Sequence, residues 1–436
     1  MTNSKFERFE FQDFIIEAIN ALGFYEPTEI QERIMPTIKV GQSVIGQSQT
    51  GTGKTHAYLL PIVDKIDPNV EQVQAVITAP TRELAAQIYE ELNKITKFAD
   101  DDQKITSKLF IGGTDKQRTI EKLKAQPQVV VGTPGRINDL VKDQALFVHT
   151  TKMIVVDEAD LMLDMGFIHD VDQIAGKMGQ DLQILVFSAT IPEKLKPFLK
   201  KYLDNPVYTH VAPKQATAEK IEHLLIPGRH RNKVNLVFEI ANYFNPYLAL
   251  IFTNTKKMAD EVADGLLEKG LKVGRIHGDL PPRERKKMMK QIKDLEYQYI
   301  VATDLAARGI DIEGVSHVIN YEIPSDLDFY VHRVGRTARA GYSGIAATVY
   351  ELSDQDALDR LEKMGIVFKH VDLKDGDMIE LGAREKRKER KRETKEVEKL
   401  AHKLIRKSKD VKPGYKKKRQ REIEKFVKKE KRKGRK

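Results

Sequence analysis

A glycine-containing loop that ends in lysine and threonine is the first feature of this chain with an evident chemical use. It lies between a short apolar run and a helical pattern and consists of Ser48, Gln49, Thr50, Gly51, Thr52, Gly53, Lys54 and Thr55. Glycines let the backbone turn tightly, so that successive N–H groups face phosphate oxygens, and the following helix N-terminus adds positive potential. Lys54 would reach the β- and γ-phosphates, and Thr55 would ligate Mg²⁺. The general pattern has Gly where this chain has Ser48, and the alternative is a glycine-rich loop that binds no ligand.

Two acidic residues follow another apolar run at a position suited to hydrolysis. The motif Asp-Glu-Ala-Asp occupies 157–160, directly after the apolar residues 153–156. In open α/β sheets, ligands bind at the carboxyl ends of the strands. Asp157 is therefore placed to hold Mg²⁺, through water, and Glu158 to activate the attacking water as a general base. The alternative is an ordinary acidic helix cap.

The elements that must position these residues alternate between strands and helices. Short apolar runs lie at 44–45, 75–78, 108–111, 129–131, 153–156 and 184–187, and helical patterns such as 82–98 and 115–124 separate them. A second series has strand patterns at 248–252, 273–276, 299–302, 317–319 and 345–350, with helical patterns at 256–268 and 283–295. Continuous β-branched runs separated by helices indicate a parallel sheet covered on both faces. The sequence therefore predicts two α/β domains, of which only the first carries a phosphate-binding loop.

The composition bounds the class of protein. A chain of 436 residues predicts two to three domains, and the absence of Cys excludes disulfides, Cys-ligated zinc, iron–sulfur clusters and thiol catalysis. No apolar run approaches the roughly 18 residues of a membrane span. The N-terminus lacks the apolar region of a secretory signal, so we expect a cytoplasmic protein.

The charge is concentrated at one end of the chain. The net charge is +10, but residues 384–436 alone carry +18, which leaves a mildly acidic body of −8. A tail of this kind suits a polyanion, either nucleic acid or a membrane surface, and the alternative is a solvated segment that only aids solubility. Because its hydrophobic periodicity is lost, we expect it to be largely disordered.

These motifs and several that follow them resemble the DEAD-box ATP-dependent RNA helicases, from Phe6 to about Tyr350. The short N-terminus and the Lys/Arg-rich tail are most similar to the cold-shock members of that family in Gram-positive bacteria. The resemblance implies two RecA-like domains in tandem: 1–206, with an N-terminal adenine-sensing element, and 221–382. Residues 207–220 would be the linker and 383–436 an RNA-binding tail.

The resemblance also assigns residues around the nucleotide. Residues 23–31, Gly-Phe-Tyr-Glu-Pro-Thr-Glu-Ile-Gln, match the family's adenine-sensing element, in which the Gln31 amide selects ATP over GTP. Phe6 stands 17 residues before Gly23, where the family has an aromatic residue that stacks on the base, although aromatic residues more often pack in a core. Asp311 matches the residue near the ribose.

Further matches concern coupling and catalysis across the two domains. Ser188 and Thr190 belong to the Ser-Ala-Thr motif that connects the acidic motif, including Asp160, to unwinding. In the motif at 332–339, Arg336 and Arg339 match the arginine fingers that reach the γ-phosphate. His332 is a packing or signalling residue, not a proton-transfer catalyst, and Arg333 has the alternative of simply pairing with acidic neighbours.

The family's RNA-contacting elements also have counterparts in both domains. The first domain supplies Arg82, Gly113, Thr133 and Arg136, and the second supplies Asn254, Gly278 and Thr303. Contacts of this kind go to phosphates and 2′-hydroxyls, so binding should be nonspecific in sequence and prefer RNA to DNA. Each element alone could instead be a capped helix or a turn. One departure is Pro282, which replaces the Gln of the family's Gln-x-x-Arg element, while Arg285 is kept.

The expected function is RNA-stimulated ATP hydrolysis with Mg²⁺, coupled to local, non-processive unwinding of RNA duplexes. Cold adaptation, ribosome assembly and RNA decay stay open as pathways, with the ribosome or the RNA-degradation machinery as candidate partners. Two other functions stay open as well. A DNA-translocating motor would use the same domains, and a non-catalytic RNA clamp would use the same surface.

Overall fold

A computed structural model of the protein describes residues 5–49, 51–113, 115–123, 125–211, 221–307, 312, 314–338, 343–374 and 376–382. Within these residues the chain forms two α/β units in tandem, each built around one sheet. Both sheets have strands with continuous burial, as the apolar runs predict.

The first sheet has the order β3-β4-β2-β5-β6-β1-β7, and every described pair of neighbours is parallel. Its strands are β1 Val44–Gln47, β2 Ala75–Thr78, β3 Ser107–Phe110, β4 Val129–Gly132, β5 Met153–Val156, β6 Gln183–Ser188 and β7 Val207–His210. Its helices are α1 Asp13–Ala21, α2 Glu29–Lys39, α3 Lys54–Lys65, α4 Arg82–Thr96, α5 Lys116–Lys122, α6 Pro134–Lys142, α7 Ala159–Asp164, α8 Ile168–Ala175 and α9 Lys196–Tyr202.

Helices cover both faces of this sheet because the side chains of each strand alternate in direction. In β5, Met153 and Val155 pack into the apolar cluster that includes α1, α2 and α3. Ile154 and Val156 pack into the opposite cluster, which includes α6 and α8. The predicted parallel sheet with two covered faces is confirmed.

The second sheet has the order β10-β11-β9-β12-β13-β8-β14-β15 and is parallel except for the pair β14–β15. Its strands are β8 Ile221–Pro227, β9 Ala249–Thr253, β10 Val273–Ile276, β11 Tyr299–Thr303, β12 His317–Asn320, β13 Gly344–Tyr350, β14 Phe368–Lys374 and β15 Asp377–Glu380. Its helices are α10 Lys233–Phe244, α11 Lys256–Glu268, α12 Pro282–Lys293, α13 Asp304–Ala307, α14 Asp328–Val334 and α15 Gln355–Lys363.

The segment 207–220, predicted as a linker, begins with a strand. Residues 207–210 form β7, which pairs with β1 at the edge of the first sheet through Val44 and Val207 and the following residues. An edge strand is hydrogen-bonded on one side only and is partly exposed, so its apolar signal is weak. Residues 212–220 lie outside the described part of the chain, as do 383–436.

The two units contact each other through α4 and α12. The Arg285 guanidinium forms an ion pair with Glu83, and both side chains are mostly buried, at 13% and 14% exposed. Lys293 Nζ lies 3.7 Å from Glu90 Oε2, about two turns further along the same helices. Among the described helices, none combines the length and the apolar character needed to cross a membrane.

Candidate nucleotide and RNA sites

The phosphate-binding loop connects β1 to α3, as the sequence predicts. Gly51 and Gly53 have φ angles of +83° and +92°, a region that residues with a Cβ avoid. A Cβ on Gly53 would lie 2.7 Å from Gln31 Nε2, so this position has no room for a larger residue. Lys54 is the first residue of α3 and is 6% exposed. Its Nζ donates a hydrogen bond to the Ser48 carbonyl at 2.8 Å, across the loop.

Ser48, which stands where the general pattern has Gly, is integrated into the loop. Its hydroxyl lies 2.9 Å from Thr52 Oγ1, and Thr52 Oγ1 also donates to the Gln49 carbonyl at 2.9 Å. These hydrogen bonds hold the loop in its turned conformation, so the departure is compatible with the loop. Thr50 lies outside the described residues.

The two acidic residues follow β5 and face the loop. Asp157 is 3% exposed, and burial, followed by the charge of Glu158, raises its pKa to about 6. Glu158 Oε1 lies 3.4 Å from Lys54 Nζ. The backbone of Glu158 has φ +51° and ψ +53°, which is unfavourable for a residue with a Cβ and is typical of functional sites. The end of β5 and the loop thus bring Lys54, Asp157 and Glu158 together.

Tyr58 is a member of this group that sequence reasoning missed. Its hydroxyl donates to Asp157 Oδ2 at 3.0 Å, while Asp157 Oδ1 accepts from the Glu158 N–H at 3.0 Å. Burial, followed by the charge of Asp157, raises the pKa of Tyr58 well above its ordinary value, so it stays a hydrogen-bond donor. The one feature of the sequence that points to Tyr58 is its position one helical turn after Lys54.

The oxygen donors at this site fit Mg²⁺. Among the described residues, no three His, Cys, Asp or Glu side chains are grouped so that they could hold a metal by themselves. Mg²⁺ does not need such a group, because it keeps several waters and binds one or two protein oxygens together with substrate phosphates. The hydroxyl of Thr55, the second residue of α3, and the carboxylate of Asp157 match that requirement.

Gln31 connects the predicted adenine-sensing element to the phosphate loop. It is 6% exposed, its Oε1 accepts from the Thr28 N–H at 2.9 Å, and its Nε2 donates to the Gly53 carbonyl at 3.1 Å. A side-chain amide has two N–H groups and two carbonyl lone pairs. One of each is used here, which leaves one donor and one acceptor for a nucleobase edge.

Phe6, the predicted base stacker, packs in the apolar core of the first unit. It is 1% exposed, and its ring centroid lies 6.0 Å from that of Phe9. Stacking on a base would require this side chain to turn outward, so the stacking role stays a prediction. Asp311, the predicted ribose contact, lies outside the described residues.

The Ser-Ala-Thr motif is bonded directly to the acidic motif. Asp160 Oδ2 accepts hydrogen bonds from Thr190 N–H at 3.0 Å and from Thr190 Oγ1 at 2.9 Å. The Asp160 N–H donates to Ser188 Oγ at 3.1 Å, and Ser188 Oγ donates to the Thr190 carbonyl at 2.6 Å. Asp160 and Ser188 are 5% and 0% exposed. A shift at the end of β6 would therefore move the end of β5.

The predicted RNA contacts of the first unit follow three adjacent strands. Arg82 begins α4 after β2, Gly113 follows β3, and Thr133 precedes α6 after β4. Arg136 lies in the first turn of α6, and a Cβ on Gly112 would lie 3.3 Å from the Arg82 guanidinium. The phosphate-binding loop, the acidic motif and the Ser-Ala-Thr motif follow β1, β5 and β6 instead. One edge of the sheet is therefore divided between predicted nucleotide elements and predicted RNA contacts.

The second unit repeats this arrangement. Asn254 follows β9, Gly278 follows β10, and Thr303 ends β11, and these strands are neighbours in the order β10-β11-β9. Asn254 and Gly278 are exposed, whereas Thr303 is 7% exposed. Arg285 of α12 donates to the His277 carbonyl at 3.1 Å and also pairs with Glu83 of the first unit. It therefore connects the surfaces of the two units that carry the predicted RNA contacts, which we call their RNA-type faces.

Arg333 is a buried residue that organises the second unit. It is 1% exposed, its guanidinium binds both carboxylate oxygens of Asp304, and it donates to Asn254 Oδ1 at 2.8 Å. The structure therefore shows Arg333 paired with an acidic neighbour, which is the alternative given for this residue from the sequence.

The remaining residues of this motif lie at the end of α14. His332 is half-buried in the helix, and Arg336, 5% exposed, lies two residues beyond its end. Arg339 lies outside the described residues.

Comparisons with known proteins agree with this geometry. Residues 28–198 match the family described as DEAD/DEAH box helicase, and residues 232–341 match the helicase conserved C-terminal domain. The chain is 65% identical over 419 residues, 96% of each chain, to the DEAD-box ATP-dependent RNA helicase CshB of Bacillus cereus. It is 63% identical to the protein of the same name from Bacillus subtilis, covering 99% of this chain and 98% of that one.

Solved structures support the same fold. S. cerevisiae Dbp5 L327V bound to RNA and ADP BeF3 superposes with a TM-score of 0.78 at 30% identity, covering 86% of this chain and 97% of that chain. Mss116p bound to ssRNA and AMP-PNP gives a TM-score of 0.75 at 27% identity, covering 92% of this chain and 84% of that chain. The predicted RecA-like domains in tandem and the similarity to cold-shock helicases are confirmed.

Proposed function

Because this chain belongs to the DEAD-box family of ATP-dependent RNA helicases, which hydrolyse ATP, we propose that it separates RNA strands locally and non-processively. The observation that carries this proposal is the division of one sheet edge between nucleotide elements and RNA-type elements. The two hydrogen bonds that Thr190 donates to the Asp160 carboxylate provide a direct connection between the acidic motif and the residues that follow β6. Closure on RNA and ATP would then bend one strand and release the other.

The proposed hydrolysis divides the work among residues of both units. Lys54 would hold the β- and γ-phosphates, and Thr55 and Asp157 would hold Mg²⁺, which would supply neutralisation of the phosphate charge. Glu158 takes a proton from the attacking water. Arg336 and Arg339 contribute rigid guanidinium groups to the γ-phosphate after closure. The ion pair between Glu83 and Arg285 supports an approach of the two units on their RNA-type faces.

Replacing Gln31 with alanine should weaken the preference for ATP over GTP. The amide has one free donor and one free acceptor, and a buried polar group left unmatched costs about 1–3 kcal/mol, or roughly 5- to 150-fold in affinity. The measurement is the ratio of ATP to GTP dissociation constants. Gln128→Ala is a matched control, since the amide of Gln128, directly before β4, is also buried, at 2% exposed. That amide hydrogen-bonds the backbone of Thr106 and Pro68 and does not hydrogen-bond the described residues of the phosphate loop. A ratio equal to that of the unsubstituted protein would leave Gln31 a purely structural role.

The proposed RNA binding is supported by the relatives, two of which are described as bound to RNA with a nucleotide analogue. Backbone and phosphate contacts from Arg82, Arg136 and Asn254 would not read bases. We therefore propose structured or duplex RNA of any sequence as the substrate. DNA translocation and a non-catalytic clamp are the alternatives that the next experiment distinguishes from this function.

Strand separation of RNA duplexes of two lengths tests the function. A duplex of about one turn should be separated with ATP, while one several turns long should not, because each closure disrupts only the contacted segment. A non-hydrolysable analogue should allow at most one round. Equal rates on both lengths would indicate processive translocation, stimulation by DNA as strong as by RNA would indicate a DNA motor, and phosphate release at background would indicate a clamp.

We propose that residues 1–206 together with β7, and residues 221–382, act as the two domains. We propose that residues 383–436 are a nonspecific RNA anchor, of which 384–436 carry a net charge of +18. Removing the tail should raise the RNA concentration for half-maximal ATPase and flatten its salt dependence. Each phosphate neutralised on a single strand contributes a slope of about −0.7. The maximal rate should change little, because every residue assigned to ATP chemistry precedes 384. Identical salt slopes for full-length and truncated protein would rule out the anchor.

The cellular role is proposed from the names of the relatives alone. CshB proteins are cold-shock helicases by name, so cold adaptation is the proposed context, with ribosome assembly or RNA decay in the cytoplasm as the process served. Growth of a deletion strain at low temperature, with and without the Glu158→Gln protein, would test this assignment.

A further inference from the structure

A tyrosine hydroxyl is buried at the centre of the nucleotide site, where an apolar side chain would pack as well. Tyr58 is 0% exposed and lies in α3, one turn after Lys54. Its ring packs on Phe187 of β6, with centroids 5.0 Å apart. Burying a hydroxyl is unfavourable unless it is hydrogen-bonded, so the hydroxyl must be compensated by its partners.

The partner of this hydroxyl is a residue assigned to Mg²⁺. Tyr58 Oη donates to Asp157 Oδ2 at 3.0 Å. The other oxygen of Asp157 accepts from the Glu158 N–H at 3.0 Å. With one fixed donor on each oxygen, the carboxylate has a defined orientation, and each oxygen keeps a lone pair for water or metal.

We propose that Tyr58 is a positioning residue for Mg²⁺, acting through the orientation of Asp157. This inference rests on the proposed role of Asp157 in holding the ion. Groups that hydrogen-bond a metal ligand fix its geometry, and their loss typically costs about 10- to 100-fold in metal affinity or activity. Because Asp157 directly follows β5 and Tyr58 lies in α3, this hydrogen bond also connects the helix to the end of the strand.

The test replaces Tyr58 with phenylalanine in the full-length protein. This change keeps the ring and its contact with Phe187 but removes the hydroxyl. The measurement is the MgCl₂ concentration that half-saturates the tight binding of a fluorescent ATP analogue, recorded without RNA so that turnover does not contribute. We expect this concentration to rise about tenfold or more, while binding of the analogue in EDTA stays the same.

Two further variants make the outcome specific. Tyr299→Phe removes another buried tyrosine hydroxyl, which donates to the Ala241 carbonyl at 3.2 Å in the second unit, and should leave the Mg²⁺ midpoint unchanged. Thermal unfolding without ligands shows whether each variant is folded. If the Tyr58 hydroxyl is purely structural, Tyr58→Phe should lower the unfolding temperature, as Tyr299→Phe should, without moving the Mg²⁺ midpoint.

Asp157→Asn separates this inference from the proposed function. If Asp157→Asn raises the Mg²⁺ midpoint and Tyr58→Phe does not, the role of Tyr58 is overturned while Asp157 remains the metal residue. If neither variant raises it, the assignment of Mg²⁺ to Asp157 is itself wrong, and the role of Tyr58 falls with it. A rise in both supports the inference.

Discussion

Replacing Glu158 with glutamine should abolish ATP turnover and leave ATP binding almost intact. Glutamine has the shape of glutamate but cannot accept a proton from water, and loss of a general base typically costs about 10²- to 10⁴-fold in rate. Binding should persist because Lys54 is also held by the Ser48 carbonyl at 2.8 Å and does not depend on Glu158. Glu158→Gln also removes a negative charge next to the negatively charged triphosphate, and this change should not weaken ATP binding.

Single-turnover hydrolysis and equilibrium nucleotide binding, both with saturating RNA, measure the two halves of this prediction. RNA should become trapped with ATP, so its dissociation should slow strongly. Glu193→Gln is a matched control on the same unit, since that side chain is 85% exposed and pairs with Lys196 at the surface. Hydrolysis within a few-fold of the unsubstituted rate would show that another group activates the water.

Replacing Arg336 with alanine should reduce RNA-stimulated hydrolysis by about 10³- to 10⁵-fold, the range measured for arginine fingers. The residue belongs to the second unit, next to α14, whereas the phosphate loop belongs to the first. It can therefore act on the nucleotide only when the units close. Nucleotide binding in the absence of RNA should change little, because the open protein holds ATP through the first unit.

Arg336→Lys separates charge from shape in this prediction. A lysine keeps the positive charge but not the planar fork that matches several phosphate oxygens, so it should recover only a small part of the rate. Arg360, exposed on α15 of the same unit, provides a surface control for alanine replacement. If hydrolysis with and without RNA decreased equally in Arg336→Ala, the dependence on closure would be wrong. Arg339 carries the same prediction from the sequence.

Much of the fold could be predicted from the sequence because its signals are local. β5 and α11 have the predicted bounds, 153–156 and 256–268, since a continuous apolar run and an amphipathic period depend only on neighbouring residues. The loop from Ser48 to Thr55 and the pair Asp157 and Glu158 could be found for the same reason. Their chemistry requires fixed residue types at short spacing, directly after a strand.

The elements that were missed have weak local signals. The sequence predicts residues 207–210 as linker, but they form β7, and it predicts neither β8 nor the antiparallel pair of β14 and β15. β7 and β15 lie at sheet edges, where one side faces solvent and the apolar pattern is diluted. The pairing of β7 and β8 depends on strands more than a hundred residues away, and that of β15 depends on its antiparallel neighbour β14, not on its own composition.

The sequence by itself determined the chemical groups, whereas only the tertiary structure decided which of them meet. Sequence order does not show that β1, β5 and β6 are neighbours, nor that β2, β3 and β4 share the other half of the edge. Tyr58 and Asp157 are 99 residues apart, so only folding reveals that a core aromatic residue donates to a carboxylate. The physical reason is that hydrogen bonds and packing act through space, over a few ångströms, while the sequence records only proximity along the chain.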